Sequence, residues 1–148
     1  MGITISSHKH SIDMGAGGFA SLRTTISKLL NCKEFAELYE DLSNMGYSKY
    51  EEKGFNSTSE YFEDHDRRIL EICEREKLDE EVINFLYRSD CDCSSVSVKT
   101  CRHLWKFIED YDDDYVYGYV GRPDRAMFKD FKRIVKECVD DRRVMRIS

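Results

Sequence analysis

From Leu22 onward the apolar residues of this chain recur at helical rather than alternating intervals. Leu22, Ile26, Leu29 and Leu30 predict a helix from about Phe19 to Leu30, and Phe35, Leu38, Leu42 and Met45 predict a second that stops near Gly46. Thr58 or Ser59 can cap a third helix, which runs to about Lys77 with Phe62, Ile69, Ile72 and Cys73 turned inward and a densely charged face left wet. Asp79 caps a shorter helix with Val82, Phe85 and Leu86 on one side. A further helix sets Cys101, Leu104, Trp105 and Ile108 in one stripe. The last opens near Asp124 and presents Met127, Phe131, Ile134, Val135 and Cys138, the clearest amphipathic segment in the chain.

Strand signals are sparse. The alternation at Ile3-Thr4-Ile5 predicts a short strand ahead of the polar run Ser6 to His10, and Gly15-Ala16-Gly17-Gly18 reads as a flexible turn. Tyr47 to Ser59 and the Cys-rich Ser89 to Ser97 read as loops, and Tyr111, Tyr115, Tyr117 and Tyr119 alternate in part, as in a short strand. Five or six helices with little sheet predict a mostly α, single compact domain over residues 1–148, whose Gly-rich segment 1–18 could be tied down by a metal.

The composition agrees with a folded domain. The chain has 148 residues, 41% hydrophobic and 12% aromatic, with one Pro, enough apolar surface to offset the conformational entropy lost on folding. No run approaches 18 apolar residues, and Met1 to His10 lacks a basic-then-apolar leader plan, so a cytoplasmic protein with neither membrane span nor export is expected. The net charge of −6 is unevenly spread: Tyr117 to Ser148 holds nine basic and five acidic residues, a net +4, which leaves −10 on residues 1–116. So acidic a body repels a phosphate backbone, which disfavours direct binding of nucleic acid and makes a basic protein surface the better partner.

Six cysteines would permit disulfides in a secreted protein, whereas in a reducing cytosol thiols or metal ligands are expected. Asp90-Cys91-Asp92-Cys93, with Cys101 eight residues beyond, gathers thiolates and carboxylates that suit zinc. His8, His10 and Asp13 could complete a tetrahedral site and staple the N-terminal segment to the helical body. The spacing is C-x-C with no second C-x-x-C or H-x-x-x-H, so free thiols and solvated histidines stand as the alternative. An EF-hand does not fit, since Ser95 replaces the turn Gly and Cys101 the bidentate Glu. The Gly15 to Gly18 stretch lacks the dinucleotide fingerprint and the Walker lysine. Cys101 and His103 are two apart on a helix and face different ways, which excludes a nucleophile pair. Cys32, Cys73, Cys138 and Trp105 read as core, and His65 and His103 as surface residues.

The run Glu109, Asp110, Asp112, Asp113, Asp114 could hold magnesium or do acid/base work, or be a solvated face. Interleaved with Tyr111, Tyr115 and Tyr117, it could also engage a partner's Arg and Lys side chains while the rings supply buried area. Such a patch imitates a phosphate backbone and needs no catalytic apparatus.

Two stretches carry a resemblance: His10 to Phe19 continuing through Leu22-Arg23, and Tyr111-Asp112-Asp113-Asp114 continuing through Gly118-Tyr119, Gly121-Arg122-Pro123-Asp124 and Met127 to Phe131. They resemble small phage and prophage proteins of Gram-positive bacteria, and the overall picture resembles a zinc-containing type II anti-CRISPR protein. That resemblance implies a non-enzymatic inhibitor with a structural metal, which binds the host's RNA-guided nuclease through an acidic face and keeps target DNA from loading. The expected metal ligands are then drawn from His10, Asp13, Cys91, Cys93 and Cys101, and the expected partner contacts from Glu109, Asp110, Asp112, Asp113, Asp114 and Tyr115. Two other readings stand beside it: a small metal-dependent hydrolase or nuclease in which His10, Asp13 and the Cys91 region hold a metal with an open coordination position, and a helical phage interaction module without metal.

Overall fold

Ile3 and Ile5 alternate with Thr4 and Ser6, a period of two that buries one face of a strand and leaves the other in water. In the computed structural model, which describes residues 2–43, 51, 54–88, 94–117 and 127–148, this is β1, Gly2–Ser6. It pairs antiparallel with β2, Ser11–Gly15, across a hairpin in which the Ser7 hydroxyl accepts from the backbone N–H groups of Lys9 and His10. β4, Met145–Ile147, lies on the other side of β1, and β3, Ser94–Val96, lies beyond β4, so the sheet order is β2-β1-β4-β3 and every pairing is antiparallel.

Six helices are present among the described residues: α1 (Ala16–Lys28), α2 (Lys33–Ser43), α3 (Thr58–Glu76), α4 (Glu80–Leu86), α5 (Val98–Ile108) and α6 (Phe128–Asp141). α1 and α6 pack on the sheet. Its inner face supplies Ile3, Ile5, Met14, Val96, Met145 and Ile147 to one continuous core, joined there by Phe19, Phe35, Phe85, Phe128 and Phe131. The mostly α domain expected from the periodicity is therefore what forms, with a larger β element than one N-terminal strand.

α5 and α6 run antiparallel, since Cys101 meets Cys138 at one end and the Lys132 amine reaches the Glu109 carbonyl oxygen at the other. α3 begins after Ser57, whose hydroxyl accepts from the Glu60 N–H, and α4 after Asp79, whose carboxylate accepts from the Val82 N–H. α6 ends on Arg142 in the left-handed region at φ 54°, where the Arg142 and Arg143 N–H groups both bond the Cys138 carbonyl and turn the chain into β4.

Several expectations change. Gly17 and Gly18 belong to the first turn of α1 rather than to a flexible turn, because β2 delivers the chain directly into the helix. The cap of α3 is Ser57, so Thr58 and Ser59 are helical. Phe62 is 46% exposed, while Tyr61 and His65 take the inner face; the buried stripe is Tyr61, His65, Ile69 and Ile72. His65 is thus a core residue, sandwiched between the Tyr61 and Tyr87 rings with its Nε2 3.1 Å from the Tyr87 hydroxyl, and burial pushes its pKa down. His103 is half-buried with Nδ1 2.7 Å from the Asp79 carboxylate, and Trp105 is half-buried beneath the Lys136 amine, 5.3 Å from the ring centre. The Cys-rich loop contains β3, and Met127 is the residue before α6 rather than part of its stripe. Met45, Gly46, Tyr119 and Asp124 lie outside the described residues.

Candidate functional site

The chain between α5 and α6 carries the acidic run, and its shape follows from aromatic packing. Tyr111 and Tyr115 lie edge-on to Phe128, the first residue of α6, with ring centres 4.7 and 6.4 Å away, and to each other at 5.8 Å. The Tyr117 ring packs on the same Phe128 at 6.5 Å. Burial of Phe128 fixes the three tyrosines, and the carboxylates before and between them are turned outward: Glu109, Asp110, Asp112, Asp113 and Asp114 are all exposed. The Asp112 carboxylate accepts from the Asp114 N–H at 2.9 Å, and the Phe128 and Lys129 N–H groups bond the Tyr115 and Asp113 carbonyls.

One cation organises this loop. The Lys132 amine, buried on the inner side of α6, donates to the Glu109 and Tyr111 carbonyl oxygens and lies 2.8 Å from the Asp113 carboxylate. Asp113 is therefore spoken for within the protein. Among the described residues, Glu109, Asp110, Asp112 and Asp114 face no cation, so four uncompensated carboxylates stand on a backbone held by a buried lysine and an aromatic cluster. The start of α6, where the helix dipole is positive, offsets part of their repulsion. Tyr115 and Tyr111 present only part of their rings to solvent, and burial raises the Tyr111 hydroxyl pKa.

Among the expected metal ligands, His10, Asp13 and Cys101 each have a partner of their own within the protein. His10 sits in the β1–β2 hairpin with Nδ1 2.8 Å from the Glu137 carboxylate, and the Asp13 carboxylate accepts from the Thr4 hydroxyl at 2.6 Å. Cys101 is fully buried, and its hydrogen bond to Cys138, together with burial, holds it as a thiol. A cysteine ligates zinc as the thiolate. Among the described residues no group of three or more His, Cys, Asp or Glu side chains could hold a metal ion, and Cys91 and Cys93 lie outside the described residues.

Two features escaped the sequence. Lys132 interrupts the apolar stripe of α6 between Phe131 and Val135, and a lysine within such a stripe is the signal that marked it. The second is the other end of α6, where Arg142, Arg143 and Arg146 are exposed and, among the described residues, face no carboxylate. Comparison with known protein families, curated proteins and solved structures gives no match to this chain. Among the described residues, no helix is long and apolar enough to cross a membrane.

Proposed function

We propose that the protein is a non-catalytic binding module that docks its 109–115 loop on a basic protein surface, and that its partner is a host RNA-guided nuclease whose nucleic-acid channel it occupies. The observation that carries this reading is the loop's four exposed carboxylates, which face no cation among the described residues and stand on a backbone that Lys132 and Phe128 hold in place. Fixed charges lose little conformational entropy on binding, so more of their attraction appears as affinity. Single exposed ion pairs contribute about 0–1 kcal/mol each, so recognition has to come from the group acting together.

The test is inhibition. A purified type II effector loaded with guide RNA is mixed with the protein, and DNA binding is followed at about physiological salt. The reading expects DNA loading to be blocked by the wild-type chain and restored with the Asp110→Asn, Asp112→Asn, Asp114→Asn variant at unchanged melting temperature. Unimpeded DNA loading in the presence of a saturating excess of the wild-type chain overturns it. Zinc has a separate test: elemental analysis of the purified chain before and after Cys91→Ser with Cys93→Ser.

A further inference from the structure

The face of the sheet turned away from α1 and α6 is polar, and one cross-strand row runs over all four strands. Ser11 pairs with Ser6, Ser6 with Arg146, and Arg146 with Ser95. Side chains directly opposite on neighbouring strands stand about 5 Å apart, so the Arg146 guanidinium has a hydroxyl on either flank. Two adjoining clefts of about 540 and 300 Å³ open over this row, and both are lined by Ser6, Val144 and Arg146. The larger adds Ser94, Ser95, Ile147 and Ser148, and the smaller adds Ser7, His8 and Arg143. Arg88 reaches in from the end of α4, its guanidinium donating to the Ser94 hydroxyl and the Ser95 carbonyl.

Charge around Arg146 is unbalanced, although the same face also carries the Asp13 carboxylate, which lies opposite Thr4 and accepts from its hydroxyl. The nearby α6 carboxylates are already engaged: Asp141 lies 2.8 Å from His8 Nε2 and 3.0 Å from the Lys9 amine, Glu137 meets His10, and Asp140 meets Lys136. Arg143 and Arg146 face no carboxylate among the described residues, although Asp and Glu outnumber Lys and Arg by 29 to 23 in the chain. Two guanidinium forks flanked by hydroxyl donors match an oxyanion with three terminal oxygens.

We propose that this cleft, centred on Arg146, is a binding site for the phosphate group of a small phosphorylated ligand. The ligand is small because the rest of the molecule is strongly acidic and repels a long polyanion. The volume exceeds what a bare phosphate fills, and Val144, 41% exposed, gives an apolar surface for the organic part of a monoester. Arg146 and Arg143 hold the phosphate, Ser6 and Ser95 donate to its oxygens, and the site is independent of the acidic loop.

Titration of the full chain with inorganic phosphate, adenosine 5′-monophosphate and adenosine, followed by amide chemical shifts, tests this. Saturable shifts at Ser6, Ser95 and Arg146 are expected with phosphate and with the nucleotide, and none with adenosine. Tighter binding of the nucleotide assigns a monoester, and equal binding assigns the free anion; both support a phosphate site. Arg146→Gln should weaken binding about tenfold or more, and Ser6→Ala with Ser95→Ala about threefold, while Arg67→Gln on α3 changes nothing. Arg146 points to solvent, so its variant should melt with the wild type, which separates lost binding from lost fold. Absence of saturation with both phosphate probes, or curves unchanged in the Arg143→Gln, Arg146→Gln double variant, overturns the proposal.

Discussion

α6 is about 20 Å long by its 14 residues, and its two ends are opposites. At its start an acidic loop is built into the core: three tyrosines close on Phe128, and the buried Lys132 amine ties the loop to the helix. At its finish, Arg142, Arg143 and Arg146 project from a turn and a three-residue strand, with hydroxyls for neighbours. Both arrangements suit the helix dipole, which favours anions at the start and cations at the finish. The difference lies in how the charge is anchored. A lysine and an aromatic cluster order the acidic end, whereas register in a sheet orders the basic end, so the two should fail under different perturbations.

The largest effect is expected from Phe128→Ala, which removes the ring on which Tyr111, Tyr115 and Tyr117 pack. Denaturant unfolding should show a loss of about 3–5 kcal/mol, and the 109–115 loop should lose its amide protection. Protection at Ser6 and Arg146 measured under native conditions should change far less, and equal loosening of both ends would erase the distinction between them.

Lys132→Met comes next. It leaves two carbonyl oxygens and the Asp113 carboxylate without their cation, at a cost of about 1–3 kcal/mol by urea midpoint. Hydrogen exchange should quicken at residues 109–115 alone. A smaller change of opposite sign is expected at the basic end, where Arg142 occupies the left-handed region that glycine adopts without strain. Arg142→Gly should stabilise the protein by less than about 1 kcal/mol, read as a raised melting temperature.

The smallest effect is confined to the hairpin that grips the finish of α6. The hydrogen bond and charge of Lys9 hold the Asp141 carboxyl below its ordinary value of 3.8, and His8 adds to this. A carboxyl whose folded pKa is depressed stabilises the fold above the ordinary value, and the contribution disappears as pH falls through the lowered one. Carboxyl-carbon titration should therefore place Asp141 below 3.8 in the wild type, and Lys9→Met should move it back up.

Where one residue type dominates a face, the sequence was readable. The stripe Phe131, Ile134, Val135, Cys138 marked α6, and Asp79 ahead of Val82 marked the start of α4. On α3 the apolar signal was ambiguous by one position. Tyr61 and Phe62 are adjacent, and the choice between them fixes which side of the helix faces inward, about 100° apart. His65 was hidden among Asp64, Asp66, Arg67 and Arg68, and its burial is decided by Tyr87 from another helix. β3 and β4 are three residues each and exist through long-range pairing, β4 to β1 and β3 to β4. Met145 and Ile147 alternating about Arg146 was their one local trace.

The acidic loop was legible as composition but not as construction. Five carboxylates within six residues are visible in any reading of the chain; that Asp113 belongs to Lys132 while Asp110, Asp112 and Asp114 face no cation among the described residues is decided by the return of α6 against α5. The metal expectation joined residues by chemistry alone; in the fold His10 meets Glu137 and Cys101 meets Cys138, while Cys91 and Cys93 lie outside the described residues.

The most direct measurement is the affinity of the full chain for a guide-loaded type II effector from about 50 to about 500 mM salt, repeated with Asp110, Asp112 and Asp114 changed to Asn. A docking surface made of uncompensated carboxylates predicts affinity that falls steeply with salt in the wild type, and weaker binding with a shallower salt slope in the variant. Binding that is absent, or that is indifferent to both salt and the three substitutions, contradicts it.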